Sequence, residues 1–193
     1  ENFKNAIKPN TKLVFVTGAS NVTGQILPFG EIGEICKKRG ILFGVDAAQV
    51  GGIIPINMKK DNIDFLCLAP HKGLYATMGI GVLICRKQLK NTIIEGGTGT
   101  DSYDFLQPLD LPEGFESGTL NVPAILGLGA GIDFVEKLTI EKIYKHDFFL
   151  LEELYKKLSS MDNIILYTKP PKYGENVAVL PFNLRNLDSY KLA

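Results

Sequence analysis

Asp46 and Gln49 stand three positions apart just after an apolar run, and His71 and Lys72 stand side by side just after another. The two runs, 41–45 and 63–68, are short, β-branched and apolar, which predicts buried strands. In an open α/β sheet, ligands bind outside the carboxyl ends of the strands. Asp46, Gln49, His71 and Lys72 are therefore expected to meet in one crevice, together with the loop around Asn21. A carboxylate, an amide, an imidazole and an amine gathered this way suit an aldehyde bound as a protonated heteroaromatic ring. The carboxylate keeps the ring nitrogen protonated, so that the ring draws electrons. The amine condenses with the aldehyde, and the amide donates to a phenolic oxygen.

Pyridoxal phosphate is the cofactor that asks for this set. Taken singly, each residue has an ordinary explanation: an Asp at a strand end caps a turn, and a Lys on a loop is solvated. The succession at consecutive strand ends is what points to chemistry.

The elements that must position these groups follow in order. Leu13–Thr17 reads as a strand and 18–27 as a polar loop. Pro28 suits the first turn of a helix, where its missing N–H costs nothing. Phe29, Ile32, Ile35 and Cys36 recur at helical spacing, Lys37 to Arg39 complement the negative helix end, and Gly40 stops it. Strand, helix, strand implies a right-handed crossover in a parallel sheet. A fourth strand is expected over 79–85. The stretch 96–118 holds five glycines with Pro108 and Pro112, a long excursion of the kind that is functional in compact domains. Helices are predicted over 123–137 and 140–160, then strands over 164–167 and 177–182. The expected architecture is α/β, a three-layer, mostly parallel sheet over 1–137, followed at 138–193 by the start of a smaller α+β unit.

Composition narrows the class. The chain has 193 residues, 45% hydrophobic and 22% charged, which fits a globular domain with a sizeable core. Lys+Arg and Asp+Glu are both 21, so no net charge favours nucleic acid or an acidic membrane. No apolar run spans a bilayer and no leader peptide is evident. Cys36, Cys67 and Cys85 form no CxxC pair, and two histidines make a His-rich metal site an unlikely expectation. A reducing, cytoplasmic setting is the default.

Other features take simpler readings. Val16-Thr17-Gly18-Ala19-Ser20 looks like the start of a dehydrogenase nucleotide loop, but Val22 stands where glycine must let backbone approach pyrophosphate. No tyrosine has a lysine four residues later, so the catalytic pair of those enzymes is missing. The three cysteines are expected as buried small hydrophobes. His146, and Lys156 and Lys157 beside Glu152 and Glu153, are expected on solvated helix faces.

Further blocks carry a resemblance. Asp46-Ala47-Ala48-Gln49, Pro70-His71-Lys72-Gly73-Leu74 and Gly79-Ile80-Gly81 resemble segments of the class V aminotransferases, most of all the cysteine desulfurase branch. So do Ala19-Ser20-Asn21-Val22-Thr23-Gly24, Gly96-Gly97-Thr98-Gly99-Thr100 and Phe115-Glu116-Ser117-Gly118-Thr119-Leu120-Asn121. They occur in the family's order and spacing across residues 13–137.

The resemblance implies a fold-type-I pyridoxal phosphate transferase, normally a homodimer. By position, Lys72 is the Schiff-base lysine, Asp46 pairs with the ring nitrogen, and Gln49 contacts the phenolic oxygen. Asn21 lies where the family contacts the cofactor and the substrate carboxylate. His71 contacts the phosphate, and Thr119 reaches the phosphate of the neighbouring subunit. Ala69 stands where many members carry a phosphate-donating Ser or Thr.

The implied reaction converts L-cysteine to L-alanine and leaves sulfur on an enzyme persulfide, for delivery to an acceptor protein. The alternatives are a class V aminotransferase, a selenocysteine or cysteine-sulfinate lyase, or a non-catalytic scaffold. The family's ring-stacking histidine, persulfide cysteine and substrate arginine have no counterpart here. That leads to the expectation of an internal fragment of a longer enzyme.

Overall fold

The computed structural model describes residues 2–87, 89–92, 94–97, 103–108 and 110–192. Thr98, Gly99 and Thr100 of the glycine-rich block lie outside the described residues. The elements are α1 (Asn2–Ala6), β1 (Leu13–Thr17), α2 (Phe29–Lys38), β2 (Leu42–Asp46), β3 (Phe65–Leu68), β4 (Val82–Cys85), a 3₁₀ turn at Glu113–Phe115, α3 (Val122–Leu138), α4 (Ile140–Ser159), β5 (Ile164–Leu166), β6 (Phe182–Leu184) and α5 (Ser189–Leu192).

β1 to β4 form one sheet in sequence order. β1 and β2 run parallel with Thr17 opposite Asp46, and β2 and β3 run parallel with Asp46 opposite Cys67. Three strands therefore end at one edge, which is what the apolar runs predicted. β4 turns back antiparallel to β3, with Leu68 opposite Val82. The 69–81 connection thus leaves and re-enters the sheet at that same edge.

α2 holds the crossover in place. Its Phe29, Ile32, Gly33 and Cys36 are buried against the sheet, where Phe43 and Val45 are fully enclosed. Gly33 is required because a Cβ there would strike the Asp61 carbonyl. The helix ends as expected. Gly40 takes φ +66, its N–H bonds the Lys37 carbonyl (3.2 Å), and the Ile41 N–H bonds the Cys36 carbonyl (3.0 Å). These are the two closing bonds of a Schellman motif.

α3 begins on Asn121, whose side chain accepts from the Ala124 N–H (3.3 Å). Gly131 lets the helix lie directly on the Leu74 carbonyl. α4 buries Ile143, Tyr144, Phe148 and Leu151. The Tyr144 hydroxyl donates to the Asn176 carbonyl (2.9 Å) and accepts from the Gly174 N–H (2.8 Å).

The strand expected over 177–182 is replaced by a shorter one at Phe182–Leu184, paired with β5. Residues 177–179 are drawn elsewhere. Val177 is buried in the main core, and its N–H bonds the Gly24 carbonyl (2.8 Å). The apolar run there flagged burial, but the partner is a loop rather than a ladder. The 63–68 and 79–85 strands are likewise shortened to the residues that pair.

Candidate active site

The sheet edge carries a crevice of about 330 Å³ lined by Thr17, Asn21, Asp46, Gln49 and Lys72, among others. Four of the residues singled out in the sequence thus come together. Asp46 is half-buried at the end of β2, and one carboxylate oxygen accepts from the Ala48 N–H (2.9 Å). That bond orients the side chain and leaves Oδ2 with no hydrogen-bond partner among the described residues. Gln49 sits on a single turn, closed by the Gly51 N–H on the Ala47 carbonyl (2.7 Å).

Lys72 sits on the 69–81 connection. Its N–H bonds the Ala69 carbonyl (3.0 Å), and its carbonyl accepts from the Tyr75 N–H (3.0 Å). This turn packs against the Gln49 turn backbone to backbone. A Cβ on Gly52, at φ +78, would meet the Gly73 carbonyl, and a Cβ on Gly73 would meet that of Gly51. Two loops that close can hold two side chains in one register only because both lack Cβ atoms there.

Asn21 belongs to a turn organised by Ser20, whose hydroxyl accepts from the N–H groups of Val22 (3.2 Å) and Thr23 (3.1 Å). Such hydroxyl-to-backbone bonds shape a loop locally.

His71 and Thr119 do not line this crevice, and both are exposed. Thr119 follows Gly118, whose N–H bonds the Gly97 carbonyl (2.9 Å). The described part of the glycine-rich block is thereby tied to the loop that carries it.

A second lobe of about 210 Å³ shares Ala48, Gln49 and Lys72 and adds Gly73, Asp147 and residues 177–179. Sequence reasoning missed Asp147. It sits in the same charged helical stretch that placed His146 at the surface, and nothing in the helical pattern separates them. Its half-buried position raises its carboxyl above the ordinary value, with His146 pulling the other way. Partial burial, then the Asp147 charge, pushes the Tyr75 phenol up as well.

Of the three cysteines expected to be buried, Cys36 is, while Cys67 and Cys85, on β3 and β4, are half-buried. Burial raises Cys36, with Asp64 adding to the shift and Arg39 opposing it. Burial also raises Cys67, then Asp46 and Cys85 add to it, and burial raises Cys85. Among the described residues no group of His, Cys, Asp and Glu could hold a metal ion, and no helix is long and apolar enough to cross a membrane.

The residues present fit pyridoxal phosphate. An oriented carboxylate with a free oxygen, an amide donor and a primary amine line one polar crevice at strand ends.

Known proteins resemble this chain along most of its length. A probable cysteine desulfurase of Methanothermobacter thermautotrophicus is 37% identical over 196 residues, covering 98% of this chain and 48% of that protein. The apo structure of a cysteine desulfurase from Thermococcus onnurineus superposes with a TM-score of 0.80 at 34% identity, over 94% of this chain and 46% of that one. The cysteine desulfurase CsdA of Escherichia coli shares the fold, with a TM-score of 0.81 at 22% identity, over 96% of this chain and 46% of that one. The chain spans about half the length of the relatives it matches. The fold is therefore the α/β, mostly parallel architecture expected of a partial fold-type-I domain. The model of the aminotransferase class-V family matches residues 1–193, and the chain belongs to that family.

Proposed function

We propose that this chain is the part of a pyridoxal phosphate-dependent cysteine desulfurase that holds the cofactor. The observation that carries the reading is the crevice shared by Asn21, Asp46, Gln49 and Lys72. The desulfurase names of the relatives support the substrate, L-cysteine. When bound, pyridoxal phosphate supplies an aldehyde that links to the substrate amine and a cationic ring that accepts electron density.

The chain's own residues do the rest. Asp46 Oδ2 holds the ring-nitrogen proton, because Oδ1 is already held by Ala48. The Gln49 amide donates to the phenolic oxygen. Asn21, at the mouth of the same crevice, orients the cofactor oxygen and the substrate carboxylate. Lys72 Nζ anchors the cofactor and, once released, moves the proton at the substrate Cα. His71 contacts the phosphate from the Lys72 loop. Thr119 serves the phosphate of a partner subunit in a homodimer, which accounts for its exposure. In the net reaction the cysteine C–S bond breaks and an S–S bond to a protein thiolate forms. A proton reaches the carbon, giving alanine and a persulfide for an acceptor protein.

Cys36 is buried and Cys67 and Cys85 are half-buried, and burial raises all three thiols, which disfavours them as the thiolate that takes this sulfur. Residues 1–137 form part of the large domain and 138–193 begin the smaller one, in a cytoplasmic enzyme. Borohydride reduction of the cofactor-loaded, full-length protein, followed by peptide mapping, tests the reading. A pyridoxyl adduct on Lys72 is expected, and an adduct on another lysine overturns it.

A further inference from the structure

The second lobe of the crevice holds a carboxylate that the reaction above leaves unused. Asp147 lies on α4, in the second turn, and lines this lobe with Gln49, Lys72, Gly73 and residues 177–179. It is half-buried, and among the described residues it makes no hydrogen bond or ion pair. A carboxylate withdrawn from water without a partner is costly, so such groups are kept where a cation comes to them.

Lys72 lines both lobes, is exposed, and has no acidic partner in the described structure. Asp46 at the end of β2 is directed to the first lobe, and the 177–179 segment carries no charge. Cys67 on β3 is a neutral thiol. His71 and Tyr75 on the lysine's own loop are exposed, as Lys72 is, and His146, next to Asp147 on α4, opposes the rise of its carboxyl. Asp147 also acts on Tyr75, whose N–H closes the Lys72 turn and whose φ is 53, in the left-handed region. It thus borders the lysine and the turn that carries it.

We infer that Asp147 is a positioning residue that receives the Lys72 ammonium in the second lobe whenever the lysine is free of the cofactor. The first lobe is then clear for substrate, and the lysine keeps its proton close by. The inference rests on the proposed role of Lys72, but the pairing belongs to the cofactor-free protein and is read there.

The test is competitive acylation of the cofactor-stripped, full-length protein with trace acetic anhydride at pH 8, read by peptide mass spectrometry. The exposed Lys59 and Lys60 serve as internal references. A facing carboxylate suppresses the reactive neutral amine. Asp147→Asn should therefore raise Lys72 acylation relative to the references by roughly threefold to tenfold. Asp147→Glu should restore the wild-type ratio, which a purely structural role would not do. An unchanged Lys72 ratio in folded Asp147→Asn, as judged by circular dichroism, overturns the inference. If borohydride still traps the cofactor on Lys72 in that case, the cofactor role stands and only the Asp147 pairing falls.

Discussion

Gly24 and Val177 are joined by a hydrogen bond from the Val177 N–H to the Gly24 carbonyl, 2.8 Å long, although they lie more than a hundred residues apart. Gly24 takes φ +70, and a Cβ on it would come within 2.7 Å of the Val177 carbonyl and 2.9 Å of the Val179 carbonyl. The contact clamps the turn bearing Asn21 to the segment that walls the second lobe. Gly24→Ala should cost about 1–3 kcal/mol, from left-handed backbone and steric conflict together. Denaturant unfolding measures this, and a loss below about 0.5 kcal/mol would mean that the two segments move apart freely.

Phe43 is fully buried on β2, on the face that α2 covers at Gly33. Phe43→Ala should cost about 3–5 kcal/mol, through lost transfer energy and the cavity left behind. The midpoint of urea unfolding is the readout, and an unchanged slope would show that the loss lies in the native core.

Asp46→Asn should leave folding intact and cripple turnover. A neutral amide still accepts from the Ala48 N–H, so the local geometry survives. It does not hold a ring proton. Removing one partner of a buried ion pair costs about 3–5 kcal/mol, which corresponds to a fall of roughly 10²- to 10³-fold or more in rate. Alanine formation by the full-length variant at wild-type rate would contradict the assigned role.

Mixed dimers of Lys72→Ala and Thr119→Ala subunits should recover part of the activity that each homodimer lacks. Thr119 is exposed and lies away from the crevice of its own chain, so one of the two hybrid sites regains both groups. Confirmed mixed dimers without recovery would place Thr119 in its own subunit's site.

The three thiols should be sluggish toward alkylation in the native state and ordinary after unfolding. Their raised values mean that the folded protein holds the thiol proton more tightly than the unfolded chain does. That contribution to stability is fully present below the unfolded thiol value of about 8.5 and is lost as pH rises through the folded values. Iodoacetamide labelling at pH 8 gives the rates. Rapid native labelling of Cys67 or Cys85 would show that they are reactive thiolates.

The strands, the α2 crossover and its Gly40 stop were legible because local rules govern them. Apolar runs bury, helical spacing makes a face, and a left-handed glycine ends the turn. The meeting of Asp46, Gln49 and Lys72 was legible for a related reason. Parallel strands with crossovers deliver their carboxyl ends to one edge, whatever the details of packing. What sequence alone left open was every contact made between distant segments. Residues 177–179 form an apolar run that reads as a strand, yet their partner is the Gly24 turn, and no local rule names a partner that far along the chain. Asp147 reads as one more charge on a solvated helix. Only the packing of α4, whose Tyr144 and Phe148 meet Ile53, Leu180 and Tyr173, brings it to the second lobe. Periodicity determines which face of an element is buried, while the identity of the surface it meets is decided by tertiary packing alone.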